Sequence, residues 1–227
     1  MNPIPTTLSL FTLAVLTSIL LPAIAAAEEW KFVEQRDGVV IYERSAEHLG
    51  QYALRGVVEA DVPIDKVVSI LVDPEERPHW VYRVADQQIL ESEDDSGEIW
   101  SERYWTRLDM PFPVSDRDYV LMSLYEFHPD DKKVTASVQS IEDPRQPKAG
   151  GCCVRAESSA QYTVTALPGQ ERTRIEVIVE SDLKGRVSDG LIRRVGPDWP
   201  VHTLKNLLTR ALSNGVKGDL RVKDWHQ

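Results

Sequence analysis

From residue 84 onward the chain alternates apolar and polar positions with period two, in pairs of segments joined by turn residues. Segments 84–93 and 98–108 flank Asp94-Asp95-Ser96-Gly97, segments 119–127 and 134–141 flank Pro129-Asp130-Asp131-Lys132, and segments 154–166 and 173–183 flank Pro168-Gly169-Gln170. Each segment reads as a strand with one buried and one wet face, and each pair as a hairpin. The centre of the chain is therefore an antiparallel meander. Upstream, Val39-Val40-Ile41-Tyr42 after Asp37-Gly38 and residues 52–59 are further strands, while Trp30 and Val33, three apart, suggest a short opening helix.

The period changes to 3.6 in two places. Ile64, Val67, Val68 and Leu71 fall on one helical face, with Asp61 as the cap and Pro63 in the first turn, and the helix ends before Asp73-Pro74. Residues 74–80 read as a turn or a short helical piece. Near the end, Val187, Leu191, Ile192 and Val195 form one apolar stripe, and Val201, Leu204, Leu207, Leu208, Ala211 and Leu212 form another, stopped by Gly215. Gly196-Pro197 and Pro200 interrupt the backbone ladder between them, so a kinked helix or two helices are expected. The fold class is α+β: a curved antiparallel sheet wrapped around a long C-terminal helix, with room between the layers for an internal hydrophobic cavity. Residues 28–214 form one domain, and 215–227 are a polar, loosely packed tail.

The first 27 residues follow neither pattern. They carry no charge, are apolar almost continuously from Leu8 to Ala27 and end in Ala25-Ala26-Ala27, the small residues a signal peptidase accepts. Residues 1–27 therefore read as a signal peptide and the protein as exported, to the periplasm or cell envelope. The alternative, given the missing basic n-region, is an uncleaved N-terminal anchor. The 227 residues, 42% apolar and 27% charged, leave enough chain after the leader for one globular core. A formal charge of −10 argues against nucleic acid as a partner. The two cysteines, Cys152 and Cys153, are adjacent. They read as two small side chains at a strand entrance, because bridging neighbours requires a strained ring; a vicinal redox disulfide or an intermolecular bridge remains the alternative.

Catalytic and metal-binding patterns are absent from the sequence. The five histidines are scattered without ligand spacing, and there is no nucleophile elbow or phosphate-cradling Gly loop, so neither a cofactor nor a metal is expected. The most informative polar residue is Glu102. Period two places it on one face of 98–108 with Trp100, Tyr104, Thr106 and Leu108, and a carboxylate on such a face must be paired, hydrogen-bonded or protonated. If that face is the cavity wall, Glu102 anchors a ligand hydroxyl or head group; if the opposite face is inward, Glu102 is solvated. Trp100, Tyr104, Leu108, Tyr162, Val177, Leu204 and Leu208 are the other candidate ligand contacts. Arg117, between Asp116 and Asp118, reads as an ion-pair knot at a corner. Arg193 and Arg194 belong to the wet face of a helix, with lipid-phosphate docking as the alternative, Trp199 to the core rather than a bilayer interface, and His202 to the surface.

Several segments together resemble the StAR-related lipid-transfer (START) domains. They are Asp116-Arg117-Asp118-Tyr119-Val120 opening a strand, Asp182-Leu183-Lys184-Gly185 before the terminal helix, Trp30 with Gly38-Val39-Val40-Ile41-Tyr42, and the stretch 73–80. The resemblance implies a helix-grip fold, with nine strands around a C-terminal helix that enclose a tunnel for one lipid or other hydrophobic molecule. It also implies a gate formed by 109–116 and 187–212, carried here by Met110, Phe112, Val114, Leu191, Val195 and Trp199. Sterol-carrying members are similar in having an inward acid on the Glu102 strand and an Arg on the next, where this chain offers Met122 and Ser123. The chain departs from the family again at Arg186-Val187-Ser188, where members often have Ile-Pro after the Gly. The resemblance implies non-enzymatic binding and transfer of a lipid or other hydrophobic molecule in the cell envelope, by a monomer making transient membrane contact. The alternatives are a polyketide cyclase or aromatase on the same fold, and a ligand-free interaction module of the envelope.

Overall fold

The computed structural model describes residues 29–95, 99–146, 153–169 and 171–226. The leader 1–27, the turn residues Ser96 and Gly97, Cys152 and Gln170 lie outside the described residues. Three strands open the fold, β1 (Lys31–Arg36), β2 (Val39–Ser45) and β3 (Tyr52–Ala60), followed by the helices α1 (Ile64–Val72) and α2 (Arg77–Trp80). A meander follows, comprising β4 (Val84–Asp95), β5 (Ile99–Leu108), β6 (Arg117–His128), β7 (Lys133–Ser140), the short β8 (Val154–Arg155), β9 (Glu157–Leu167) and β10 (Arg172–Asp182). The helices α3 (Asp189–Val195) and α4 (Asp198–Ala211) close it. Nine strands run in the order β1-β2-β3-β10-β9-β7-β6-β5-β4, with β8 pairing in parallel with the start of β6. The sheet is not closed: β1 and β4 are its two edges, and α1 and α2 carry the chain from β3 in its interior to β4 at its far edge.

The opening segment is a strand rather than the expected helix. Asp37 and Gly38 both have positive φ, 53° and 82°, the requirement of a two-residue hairpin turn. That turn pairs the residues before it with β2, from Arg36 opposite Val39 to Lys31 opposite Glu43. At the other end, the proline-bearing interruption yields two helices. Ser188 caps α3 by accepting from the Leu191 amide at 3.4 Å, which settles how the helix begins in place of the family's Ile-Pro. Pro200, Val201, Leu204, Leu207 and Ala211 of α4 are buried against α1 and the sheet, whereas Leu212 is 59% exposed and leaves the expected stripe.

The cap of α1 is also different from the expected one. Asp61 is exposed and pairs with Arg172 at 3.0 Å, while the Ile64 amide at the helix start donates to Nε2 of His226 at 2.8 Å. The last residues are therefore packed, not loose. The Asp219 amide donates to the Asp65 carbonyl, Val222 is fully buried, and the Arg221 guanidinium lies 4.1 Å from the Phe127 ring centroid. Cys153 is disulfide-bonded rather than a free thiol. Among the described residues no helix is long and apolar enough to cross a membrane, and no group of three or more His, Cys, Asp or Glu side chains is placed to hold a metal ion.

One buried carboxylate ties a loop to the sheet. Glu180 on β10 accepts the backbone amides of Glu47, His48 and Leu49 at 3.0, 2.9 and 3.1 Å. Burial alone pushes its pKa upward, but the three amides outweigh it and the net shift is downward. A lowered folded-state pKa means that the carboxylate's stability is present above the unfolded value, about 4.3, and is lost as pH falls through the folded value. Glu180→Gln is expected to cost about 1–3 kcal/mol at pH 7. Urea unfolding at neutral pH and near pH 3 checks this, and a difference from wild type that does not shrink in acid refutes it.

Candidate functional site

The sheet, α2, α3 and the loop 109–116 enclose a cavity of about 430 Å³. Its construction follows from the strand register. On β6, Tyr119, Leu121, Ser123 and Tyr125 point inward at every second residue, facing Thr106, Tyr104, Glu102 and Trp100 on β5. From the other side, Tyr125 stands beside Ala136 of β7, which is opposite Tyr162 of β9, and the next layer is Ser123, Val138, Ala160 and Val179. Small and large side chains thus alternate across the wall. α3 completes the enclosure with Ile192, Val195 and Gly196, and Trp199 follows at the start of α4.

Glu102 lies on the inward face and is 1% exposed, so it is not the solvated residue of the alternative reading. Its partner is an arginine, but not one from the next strand. Arg77 of α2, 4% exposed, forms an ion pair with Glu102 Oε1, donates to Gln87 Oε1 at 3.2 Å and to the Tyr125 hydroxyl at 3.4 Å, and lies 3.9 Å from the Tyr104 ring centroid. Ser123 donates to the Tyr104 hydroxyl at 3.3 Å. Burial raises the Glu102 pKa, and the attraction of Arg77 only partly offsets it. For Arg77 burial works downward, yet Tyr104, Tyr125 and Glu102 outweigh it and hold the guanidinium charged. Burial also pushes the Tyr125 hydroxyl up to about 12, so it stays protonated. The inner end of the cavity is therefore a cation and several neutral hydroxyls in an apolar setting, with the Glu102 carboxyl behind the cation. Three polar atoms there lack a hydrogen-bond partner among the described residues: Trp80 Nε1, Glu102 Oε2, and Glu102 Oε1, whose contact is the ion pair with Arg77.

The candidate contacts divide accordingly. Tyr104, Leu108 and Tyr162 line the cavity, as do Met110, Val195 and Trp199 from the expected gate. Glu102 is screened from the cavity by Arg77. Trp100 lies one layer beyond, stacked on Tyr125 with ring centroids 4.6 Å apart. Val177, Leu204 and Leu208 belong to the core instead of the wall. The reason is Gly56: opposite Val177 on β3, it leaves just enough room for Pro200 and Leu204 of α4 to rest on the sheet. Phe112 is 98% exposed because a turn from Pro111 to Val114 places it at the tip, which also keeps Val114 off the wall. The inward stripe is Ile192 and Val195 of α3, followed by Gly196 and by Trp199 of α4, and Leu191 sits one position, about 100°, around the helix from Ile192.

Other residues weighed in the sequence have structural places. Arg117 makes no ion pair with its neighbours. It donates to the carbonyls of Leu183 at 2.7 Å, Lys184 at 2.9 Å and Ser115, while Asp116 pairs with Arg107 at 2.8 Å and Asp118 with Arg155 at 2.7 Å. Arg193 reaches across to Glu43 at 3.5 Å and lies 4.1 Å from the Tyr52 ring centroid, joining α3 to β2 and β3. Trp199 packs on the core, and His202 is half-buried and stacked on Tyr82 at 4.5 Å. The sequence reading missed Arg77, Trp80, Ser123 and Tyr125. Arg77 and Trp80 stand three apart in Arg77-Pro78-His79-Trp80, a spacing that places both on one face of a helical turn, and this was the available signal.

Comparisons with known proteins agree with this geometry. An uncharacterized protein of Pseudomonas aeruginosa is 26% identical over 195 residues, covering 82% of this chain and 89% of its own length. The phosphatidylcholine transfer protein of Mus musculus is 24% identical over 191 residues, covering 82% and 85%. Among solved structures, human StAR-related lipid transfer protein 5 superposes with a TM-score of 0.71 at 18% identity, covering 80% of this chain and 86% of that one. The STAR-related lipid transfer protein fragment from Xanthomonas axonopodis gives 0.68 at 23% identity, covering 81% and 99%. The START domain model matches residues 11–214, and with that span the chain belongs to the START domain family.

Proposed function

We propose that this protein binds one lipid or other hydrophobic molecule in the cavity and carries it within the cell envelope. The observation that supports this most directly is the cavity itself, about 430 Å³ between the sheet and α3, in the range of ligand-binding pockets. A ligand-free interaction module has no need of such a space. The wall is apolar and aromatic, and burial of apolar ligand surface contributes roughly 25 cal/mol per Å². At the inner end, Arg77, Tyr104, Ser123 and Tyr125 offer hydrogen bonds to one polar group of the ligand. Because Glu102 already neutralises Arg77, that group is best uncharged: a second anion would add an unbalanced charge to a buried site. The names of the mouse and human relatives, both lipid transfer proteins, agree with this reading. The apolar run to Ala27 is the ground for export, and transfer requires the loop 109–116 and α3 to part near a membrane.

The test is mass spectrometry of organic extracts from the protein purified out of its native envelope. One stoichiometric hydrophobic molecule is the expected result. An empty extract, with no uptake when lipids are offered back, overturns the proposal.

A further inference from the structure

We infer that Arg117 is the positioning residue of the cavity's entrance: one buried guanidinium ties the loop 109–116 to the segment that leads into α3, so that the two open in one cooperative event and not singly. This rests on the reading that a hydrophobic ligand enters between them. Both elements line the cavity, the loop through Met110 and Pro111 and the helix through Ile192 and Val195. Both also leave the sheet at the same corner. Arg117 opens β6 where the loop ends, is 2% exposed, and divides its donors between the two. Nη1 donates to the Ser115 carbonyl, Nε to that of Leu183 at 2.7 Å and Nη2 to that of Lys184 at 2.9 Å. Lys184 and Gly185 have positive φ, 50° and 71°, a left-handed turn that brings two successive carbonyls to one guanidinium.

The corner is a costly place for a lone cation. Among the described residues no carboxylate pairs with Arg117, since Asp116 is taken by Arg107 and Asp118 by Arg155. Burying a charge without a counter-charge is unfavourable, and an apolar side chain would fill the corner at lower cost. Such a side chain could not hold backbone from two segments at once. α3 has little else to fix it: none of its seven residues is buried, and beyond its ends it is held by Arg193, which reaches Glu43 and Tyr52. The loop is braced by Asp116, which accepts the Met110 amide at 3.2 Å and Arg107 at 2.8 Å. Elements with few buried contacts open easily by themselves. Because they share Arg117, the release of one removes part of the anchor of the other.

The experiment compares the wild-type chain with Arg117→Lys, which keeps the charge and loses the fork. Hydrogen exchange of the free protein, followed by NMR, reads each element through its own amides, Met110 and Val114 in the loop and Ile192 and Gly196 at α3. In wild type the two pairs are expected to share one opening constant within about twofold. In Arg117→Lys both should open about tenfold more often, the equivalent of one charged hydrogen bond lost, and with constants that differ between loop and helix. Gly185→Ala disturbs the same turn and should separate the pairs in the same way, which keeps the test available if Arg117→Lys does not fold. Thr173→Val removes a buried hydrogen bond to the Val62 carbonyl at the other end of β10, and should leave both pairs at wild-type values. Pairs that already differ in wild type, or that stay coincident in both corner variants, overturn the coupling. Ligand passage is read separately, as transfer of pyrene-labelled hexadecanoate and pyrene-labelled phosphatidylcholine out of dioleoyl phosphatidylcholine vesicles. Entry and exit should both be faster in Arg117→Lys by the same factor, with affinity unchanged. Unchanged transfer rates overturn the role of Arg117 at the entrance. Coupled opening with uptake of neither probe leaves the tie standing and counts against lipid binding.

Discussion

Arg77→Met is expected to destabilise the protein by about 3–5 kcal/mol at pH 7, because it leaves Glu102 as a buried carboxylate with no cation beside it. The loss has a definite pH dependence. Burial already raises the Glu102 pKa, and removing the guanidinium removes what opposes that rise. A group whose folded pKa lies above its unfolded value contributes stability below the unfolded value and loses it as pH rises through the folded one. The variant is therefore expected to recover relative to wild type as pH falls from 7 toward 4. Arg77→Met with Glu102→Leu removes both charges, and well-packed apolar replacements of a buried pair are often neutral or stabilising. The double variant should regain most of the stability while losing affinity for a ligand with a polar end. Urea unfolding at pH 7 and 5, with ligand uptake measured on the same samples, separates the two effects. A single variant within about 1 kcal/mol of wild type would show that Glu102 is protonated or solvated without Arg77.

Leu204→Ala is expected to cost about 2–5 kcal/mol, the second large effect. Leu204 is fully buried, and its Cδ1 lies 3.1 Å from where a side chain on Gly56 would begin. The helix rests on a bare stretch of β3 backbone there, so the sheet has nothing to fill the vacated space. Leu212→Ala, on the same helix but 59% exposed, should change stability by no more than about 0.5 kcal/mol. Thermal unfolding of both variants checks the contrast, and equal effects would mean that α4 is not anchored through Leu204.

The two substitutions probe parts of the molecule that differ in how far the amino-acid pattern reveals them. Leu204 was visible at once as one of a run of apolar residues at i, i+3 and i+4. Its role was not, since core and cavity wall are both apolar and the distinction depends on Gly56, about 150 positions earlier in the chain. The same holds for Val177. Leu191 and Ile192 are adjacent and equally apolar, and only the docked angle of α3 decides which one meets the cavity.

Period-two and period-3.6 patterning carried the three hairpins, α1, the break between α3 and α4, and the grouping of Glu102 with Trp100, Tyr104, Thr106 and Leu108 on one strand face, because these depend on contacts between near neighbours and on the geometry of one strand or one helix. Local spacing failed where a partner came from far away. Trp30 and Val33 have helical spacing, yet the Asp37-Gly38 turn and the ladder to β2 draw them into a sheet. His226 caps a helix 162 positions earlier, and the final segment folds onto α1 through Val222. For Glu102 the pattern left open which face of the strand turns inward, and the partner it needs when buried could not be named. The crossover from β3 to the distant edge strand β4 lays α2 across the end of the cavity, and it is that passage through space, not any spacing along the chain, that brings Arg77 to Glu102.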